Sequence, residues 1–142
     1  MNAPSRILGV AVAASLGLAL SGCALADTLQ NETASSYGTK GELDEQWGKA
    51  APWLPADSAD IDVRESTRSE HAVLRASTDA ALDPASCTLT ERESLWTYSV
   101  DWAPRTLPDE VWACGDWAVV ETDGGYFGWT PNSAGEAAAT VG

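Results

Sequence analysis

Trp117-Ala118-Val119-Val120-Glu121-Thr122, then Asp123-Gly124-Gly125, then Tyr126-Phe127-Gly128-Trp129 is the stretch that decides the fold class of this 142-residue chain. Two runs rich in β-branched and aromatic residues flank a turn. The Asp-Gly and Gly-Gly steps supply the positive φ angles that tight hairpins require. A hairpin here predicts an antiparallel sheet, and the neighbouring segments extend it.

Val111 to Cys114 is short and apolar, and Cys87-Thr88-Leu89-Thr90 is β-branched; both read as strands. Leu95-Trp96-Thr97-Tyr98-Ser99-Val100 alternates large apolar with small polar residues and predicts another. Farther back, Ile61-Asp62-Val63-Arg64 alternates as a half-buried strand does. Ala72, Leu74 and Ala76 share the inward face of the next strand, with Arg75 outward. A short helix over Glu42–Ala51 puts Leu43 and Trp47 on one face, and Pro52 stops it. Pro104 and Pro108 bracket an exposed loop. The expectation is a small single α+β domain, mostly antiparallel β, with one or two short helices and one disulfide.

At the other end of the chain, Arg6 precedes an apolar run from Ile7 to Leu20, followed by Ser21 and Gly22. Charge, apolar run and small residues in that order make a secretory signal. The run is shorter than the roughly 20 residues of a membrane-spanning helix and is interrupted by Gly9 and Gly17. Leu20-Ser21-Gly22-Cys23 resembles a bacterial lipobox. That resemblance implies a diacylglyceryl group on the Cys23 sulfur, cleavage before Cys23 and acylation (palmitate or a similar chain) of the new amino group. The protein would then sit on the extracytoplasmic face of the cell membrane, with the membrane as a partner through its lipid anchor. A plain cleaved signal of a secreted protein is the alternative.

The expected division is a lipoprotein signal peptide at 1–22, a flexible tether at 23–41, a globular domain at 42–132 and a disordered tail at 133–142. The tether rests on the small polar residues from Ala24 to Gly41, which offer little apolar area to offset ordering. Gly, Ser, Ala and Thr dominate the tail. Within the tether, Asn31-Glu32-Thr33 matches a glycosylation sequon, a tripeptide that chance produces easily.

The whole chain carries −13 at neutral pH, from 8 basic and 21 acidic residues. Residues 1–22 hold one arginine and no acid, so the part after cleavage has 7 against 21, or −14. Such a field repels phosphates, and with no basic patch to offset it nucleic acid is excluded as a partner.

With Cys23 given to the lipid, Cys87 and Cys114 remain in an oxidising compartment where disulfides persist. A bridge between them is expected, with two free thiols as the alternative. With His71 as the only histidine, these residues assemble no four-ligand zinc site without carboxylates, and no metal or cofactor is expected.

All seven tryptophans lie after Cys23, in a segment with one Phe, one Ile and no Met. Core filling is the first reading, since each large aromatic buries about 150–250 Å². The second is a surface platform on which sugar rings stack. Trp117, Tyr126 and Trp129 are its candidate ligand-binding residues, because a hairpin tip can present rings to solvent.

Catalytic chemistry is thinly represented. Asp109-Glu110 and Glu91-x-Glu93 are carboxylate pairs of the kind hydrolases use. Acids are abundant here, and neither pair sits in a catalytic signature. Glu121 to Gly125 lacks the alternating acids of a calcium loop. With one histidine and no Gly-x-Ser-x-Gly, no nucleophile is assembled, and no catalytic residue is expected.

Two resemblances close the reading. Trp53-Leu54-Pro55-Ala56-Asp57 with Asp60-Ile61, and Val111-Trp112-Ala113-Cys114-Gly115-Asp116-Trp117 with Gly128-Trp129-Thr130-Pro131, resemble a group of small actinobacterial lipoproteins. This implies a compartment and a shared small domain, and carries over no site residue. Ile61-Asp62-Val63-Arg64 with Trp117 and Gly128-Trp129 looks loosely like a bacterial SH3-type wall-binding module, without that module's early glycine-proline turn. The functional expectation is a membrane-anchored extracytoplasmic lipoprotein that binds or associates rather than catalyses, with a cell-wall glycan or an envelope protein as partner. An SH3-like glycan-binding module and a small hydrolase are the alternatives.

Overall fold

The structure, a computed structural model, describes residues 31–140. The expected signal peptide, the expected lipidation site at Cys23 and the expected tether up to residue 30 lie outside the described residues, as do 141 and 142.

The hairpin forms as its turn chemistry dictates. Strands Trp117–Thr122 and Gly125–Thr130 pair antiparallel from Ala118↔Trp129 to Thr122↔Gly125. Gly124 takes the left-handed φ of 78° at the turn, a conformation open to glycine at little cost. These are β6 and β7. Ahead of them come β1 (Glu32–Thr39), α1 (Lys40–Gln46), β2 (Ala59–Ser66), β3 (Ala72–Ser77), β4 (Thr88–Glu91) and β5 (Glu110–Cys114). A short helix, α2 (Ala134–Ala139), follows β7.

All seven strands make one antiparallel sheet in the order β1-β2-β3-β7-β6-β5-β4. Two meanders, β1 to β3 and β4 to β7, are joined by the β3–β7 ladder. With two short helices and a Cys87–Cys114 disulfide, this is a mostly β α+β domain.

The sheet is covered on both faces, so Trp117-Ala118-Val119-Val120 is buried without interruption. On one face Leu43 of α1, Trp47, Trp53 and Leu54 pack over Ile61, Val63, Leu74 and Val119, beside the disulfide. Trp117 lies between two other rings there, 6.2 Å from Trp47 and 5.7 Å from Trp53. Trp53 crosses so close to β7 that a Cβ on Gly128 would lie 2.7 Å from its ring. On the opposite face, Val73, Val111, Ala118, Val120, Phe127 and Trp129 form a second layer.

That second layer is where the structure departs from one predicted strand. Residues 95–100 keep the expected alternation, with Trp96, Tyr98 and Val100 half-buried and Leu95, Thr97 and Ser99 exposed. They form no ladder. The segment lies on the sheet, Trp96 sitting 4.8 Å edge-on to Phe127 and 5.5 Å from Trp129. Period two here reports one side packed on a surface, and such packing does not require strand partners.

Both ends of the domain reach farther than expected. Residues 32–39, read as tether, pair with β2 along their length, from Glu32↔Ser66 to Thr39↔Ala59. Backbone hydrogen bonds organise this edge strand, and Tyr37 is the ring that ties it to the core. The helix is earlier and shorter than Glu42–Ala51: Thr39 caps it, its hydroxyl accepting from Glu42 N at 3.2 Å. It ends at Gln46, and Trp47 leaves with extended geometry. The tail from 133 is likewise not disordered through residue 140. Ser133 and Glu136 form a reciprocal capping box at the start of α2.

Candidate functional site

Trp117, Tyr126 and Trp129, expected as platform candidates, are all core residues. They are 5%, 7% and 1% exposed. Their polar atoms point inward: Trp117 Nε1 donates to Ala50 O at 3.2 Å, Tyr126 OH to Ala80 O at 3.0 Å and Trp129 Nε1 to Ser94 Oγ at 2.8 Å. The platform reading fails because the sheet is covered on both faces, leaving β6 and β7 no wet side near these rings. Burial, and then the charge of Glu121, push the Tyr126 phenol up, so it stays protonated.

The carboxylate pairs stand outside the groove described below. Glu91 and Glu110 face each other across the β4–β5 ladder at one edge of the sheet. Glu93 accepts from Ser133 Oγ at 2.8 Å. Among the described residues no group of three or more His, Cys, Asp or Glu side chains is gathered as a metal ion would need. His71 Nδ1 lies 3.5 Å from Thr97 Oγ1 at the surface.

What the fold does build is a groove of about 920 Å³ beside the second core layer. It lies where the outward side of β1, β2 and β3 meets the β6–β7 turn and the loop at 102–106. Strand alternation places its central residues. Ile61 and Val63 point into the first core layer, so Asp62 points to the other face. Leu74 and Ala76 do the same for Arg75. Cross-strand register then sets Asp62 opposite Arg75, and Ser36 opposite Asp62.

The three side chains join. Ser36 Oγ donates to Asp62 Oδ1 at 2.6 Å, and Arg75 Nε and Nη2 each donate to Asp62 Oδ2 at 2.7 Å. Arg75 also stacks over the Trp102 ring, 5.4 Å from its centroid. Burial alone would raise the Asp62 carboxyl, but the Ser36 hydroxyl and the Arg75 guanidinium outweigh it and hold the group below the usual range. Asp62 is therefore ionised at neutral pH, a poor proton donor and a weak base.

Around this centre the walls carry charges without ion-pair partners. Arg105 stands on the loop beside Trp102, Asp60 and Asp123 line other parts of the groove, and Glu121 meets it only at the rim, its side chain turned with Val119 and Tyr126 toward the first core face. Among the described residues none of the four forms a salt bridge. Asp60 has a left-handed φ of 48° and sits where the β2–β3 register slips between Ala59 and Asp62. Bulges of this kind re-aim side chains beside sites. A non-glycine residue at positive φ is a strain that the surroundings must hold in place.

The sequence reading missed these groove residues. Ser36 belongs to the small polar segment that composition assigns to a tether, and Trp102 and Arg105 to a loop whose landing place depends on tertiary packing. Asp62 and Arg75 had a legible signal: both are outward residues on adjacent predicted strands, with opposite charge. No helix among the described residues is long and apolar enough to cross a membrane. No family model, no curated protein and no solved structure matches the chain.

Proposed function

We propose that the protein is a lipid-anchored extracytoplasmic binding protein, sharing its compartment with the small actinobacterial lipoproteins it resembles, and that the groove is its ligand seat. The groove carries the binding half of this reading: about 920 Å³ of open space lined by the Arg75–Trp102 stack, within the range of small-molecule sites. The Leu20-Ser21-Gly22-Cys23 lipobox carries the anchor. The Cys87–Cys114 bridge supports an oxidising compartment. Binding is favoured over hydrolysis because Asp62 is locked in an ion pair, and the exposed carboxylate pairs stand outside the groove. A glycan platform is disfavoured, since no described aromatic ring is fully exposed.

Two measurements test the reading separately. Cys23→Ser releases the protein from the membrane fraction or blocks its processing; a wild-type chain found wholly soluble with an unmodified N-terminus refutes the anchor. Amide and indole NMR spectra of the processed chain, titrated with mixed metabolites and wall fragments, test the seat. Shifts gather at Arg75, Trp102 and Arg105 if the groove binds. Shifts confined to other surfaces refute it.

A further inference from the structure

Resting on the groove as the ligand seat, the charges that line it narrow the ligand class. Asp62 and Arg75 neutralise each other, which leaves Arg105 against Asp60 and Asp123 as uncommitted charge. A purely anionic ligand meets two carboxylates in a chain of net charge −13. A purely cationic ligand leaves Arg105 unmatched beside it. Only a molecule bearing both signs, with cationic groups in excess, satisfies the set.

The dimensions agree. Asp60 on β2 and Asp123 on the β6–β7 turn are separated by the order β2-β3-β7-β6, between two and three strand spacings or roughly 12 Å. An extended peptide of about three residues covers most of that distance at ~3.5 Å per residue. The floor is suited to peptide amides, with the hydroxyl oxygen of Ser36 and the half-exposed guanidinium of Arg75. The covered Trp102 ring, with Arg75 over it and Phe127 at 5.7 Å, offers little to an apolar ligand.

We infer that the groove takes a short zwitterionic peptide, its carboxylate on Arg105 and its amino groups toward Asp60 and Asp123. Asp60 then has a reason for its strained backbone: the bulge turns a carboxylate into the groove at some cost in stability.

The test titrates the processed chain with three probes, read by NMR at the Trp102 indole and the Arg105 amide. The probes are alanyl-alanyl-lysine, its C-terminal amide, and N-acetyl-trialanine, which carries only the carboxylate. The free tripeptide binds tightest, and each of the others is weaker by roughly tenfold or more, as expected for losing a charge-assisted contact. Arg105→Ala removes the preference for the free carboxylate and leaves the amide's affinity unchanged. Asp60→Gly lowers affinity while raising the melting temperature. An amide that binds as tightly as the free tripeptide, or tighter, overturns the zwitterion and leaves a cation-selective groove. Silence with all three probes, when another ligand shifts the same resonances, overturns the peptide class alone. Shifts away from Trp102 and Arg75 with every ligand overturn the seat as well.

Discussion

Ser94 Oγ donates to Glu136 Oε2 at 2.5 Å, joining residues 42 positions apart in the chain. Ser94 also accepts from the Trp129 indole, so the contact links α2, β7 and the segment that covers the second core layer. Glu136 is 0% exposed. Its two oxygens receive three further donors, the backbone N–H groups of Glu93 at 2.7 Å, Ser94 at 3.0 Å and Ser133 at 2.8 Å. A buried carboxylate with this many donors is stabilising in place, and its loss is costly because every donor is left unpaired. Glu136→Ala is expected to destabilise the domain by about 3 kcal/mol or more, measured by denaturant unfolding.

The same carboxylate gives the protein a pH dependence of known sign. Burial would raise Glu136, yet the Ser94 hydroxyl and the N–H groups of Ser133, Glu93 and Ser94 outweigh it, and the group lies below its ordinary value of 4.5. The unfolded chain therefore binds the proton more readily than the folded one. The contribution is complete above about pH 5 and is lost as pH falls through the lower, folded value. Melting temperature should decline between pH 5 and pH 3, and Glu136→Gln should flatten that decline. An unchanged slope in the variant would assign the acid sensitivity elsewhere.

The disulfide closes a loop with a sequence separation of 27. In the chain-entropy account a loop of this size contributes about 3–4 kcal/mol through the unfolded state. The Cys87→Ser, Cys114→Ser double variant should melt at lower temperature by a corresponding amount. Thiol labelling of the denatured, unreduced protein should find neither cysteine reactive.

Trp117 and Trp129 lie on opposite faces of the sheet, in separate core layers. Truncating a buried tryptophan to alanine typically costs 3–5 kcal/mol. Both alanine variants should lose that order of stability, and the two losses should be close to additive across the intervening sheet. A variant that keeps its melting temperature but loses binding to cell walls would restore the platform role that burial removes.

Gly128 faces Trp53 at a distance that leaves no room for a methyl group. Gly128→Ala should cost about 1–3 kcal/mol by overpacking. Combining it with Trp53→Leu should cost less than the sum of the single changes, because the clash partner is then smaller.

Local chemistry determined much of this protein before any contact was known. The Asp123-Gly124 turn specifies β6 and β7 because few backbone conformations reverse a chain so tightly. Alternation at Ile61 to Arg64 and at Ala72 to Ala76 specifies which side chains face inward, since period two is built into strand geometry. The cysteine count, after Cys23, left one pair to join. Tertiary structure decided the rest. Residues 32–39 are a strand because β2 offers a row of backbone partners, and backbone hydrogen bonding leaves little trace in side-chain composition. Residues 95–100 are not a strand because a two-sided sheet needs a cover, and alternation serves that role equally well. α2 persists at the end of a weakly apolar segment because Glu136 reaches donors some forty residues away. The groove belongs largely to the same class: Ser36 and Arg105 join the Asp62–Arg75 pair only through strand order and a loop's landing place, quantities that no local pattern encodes.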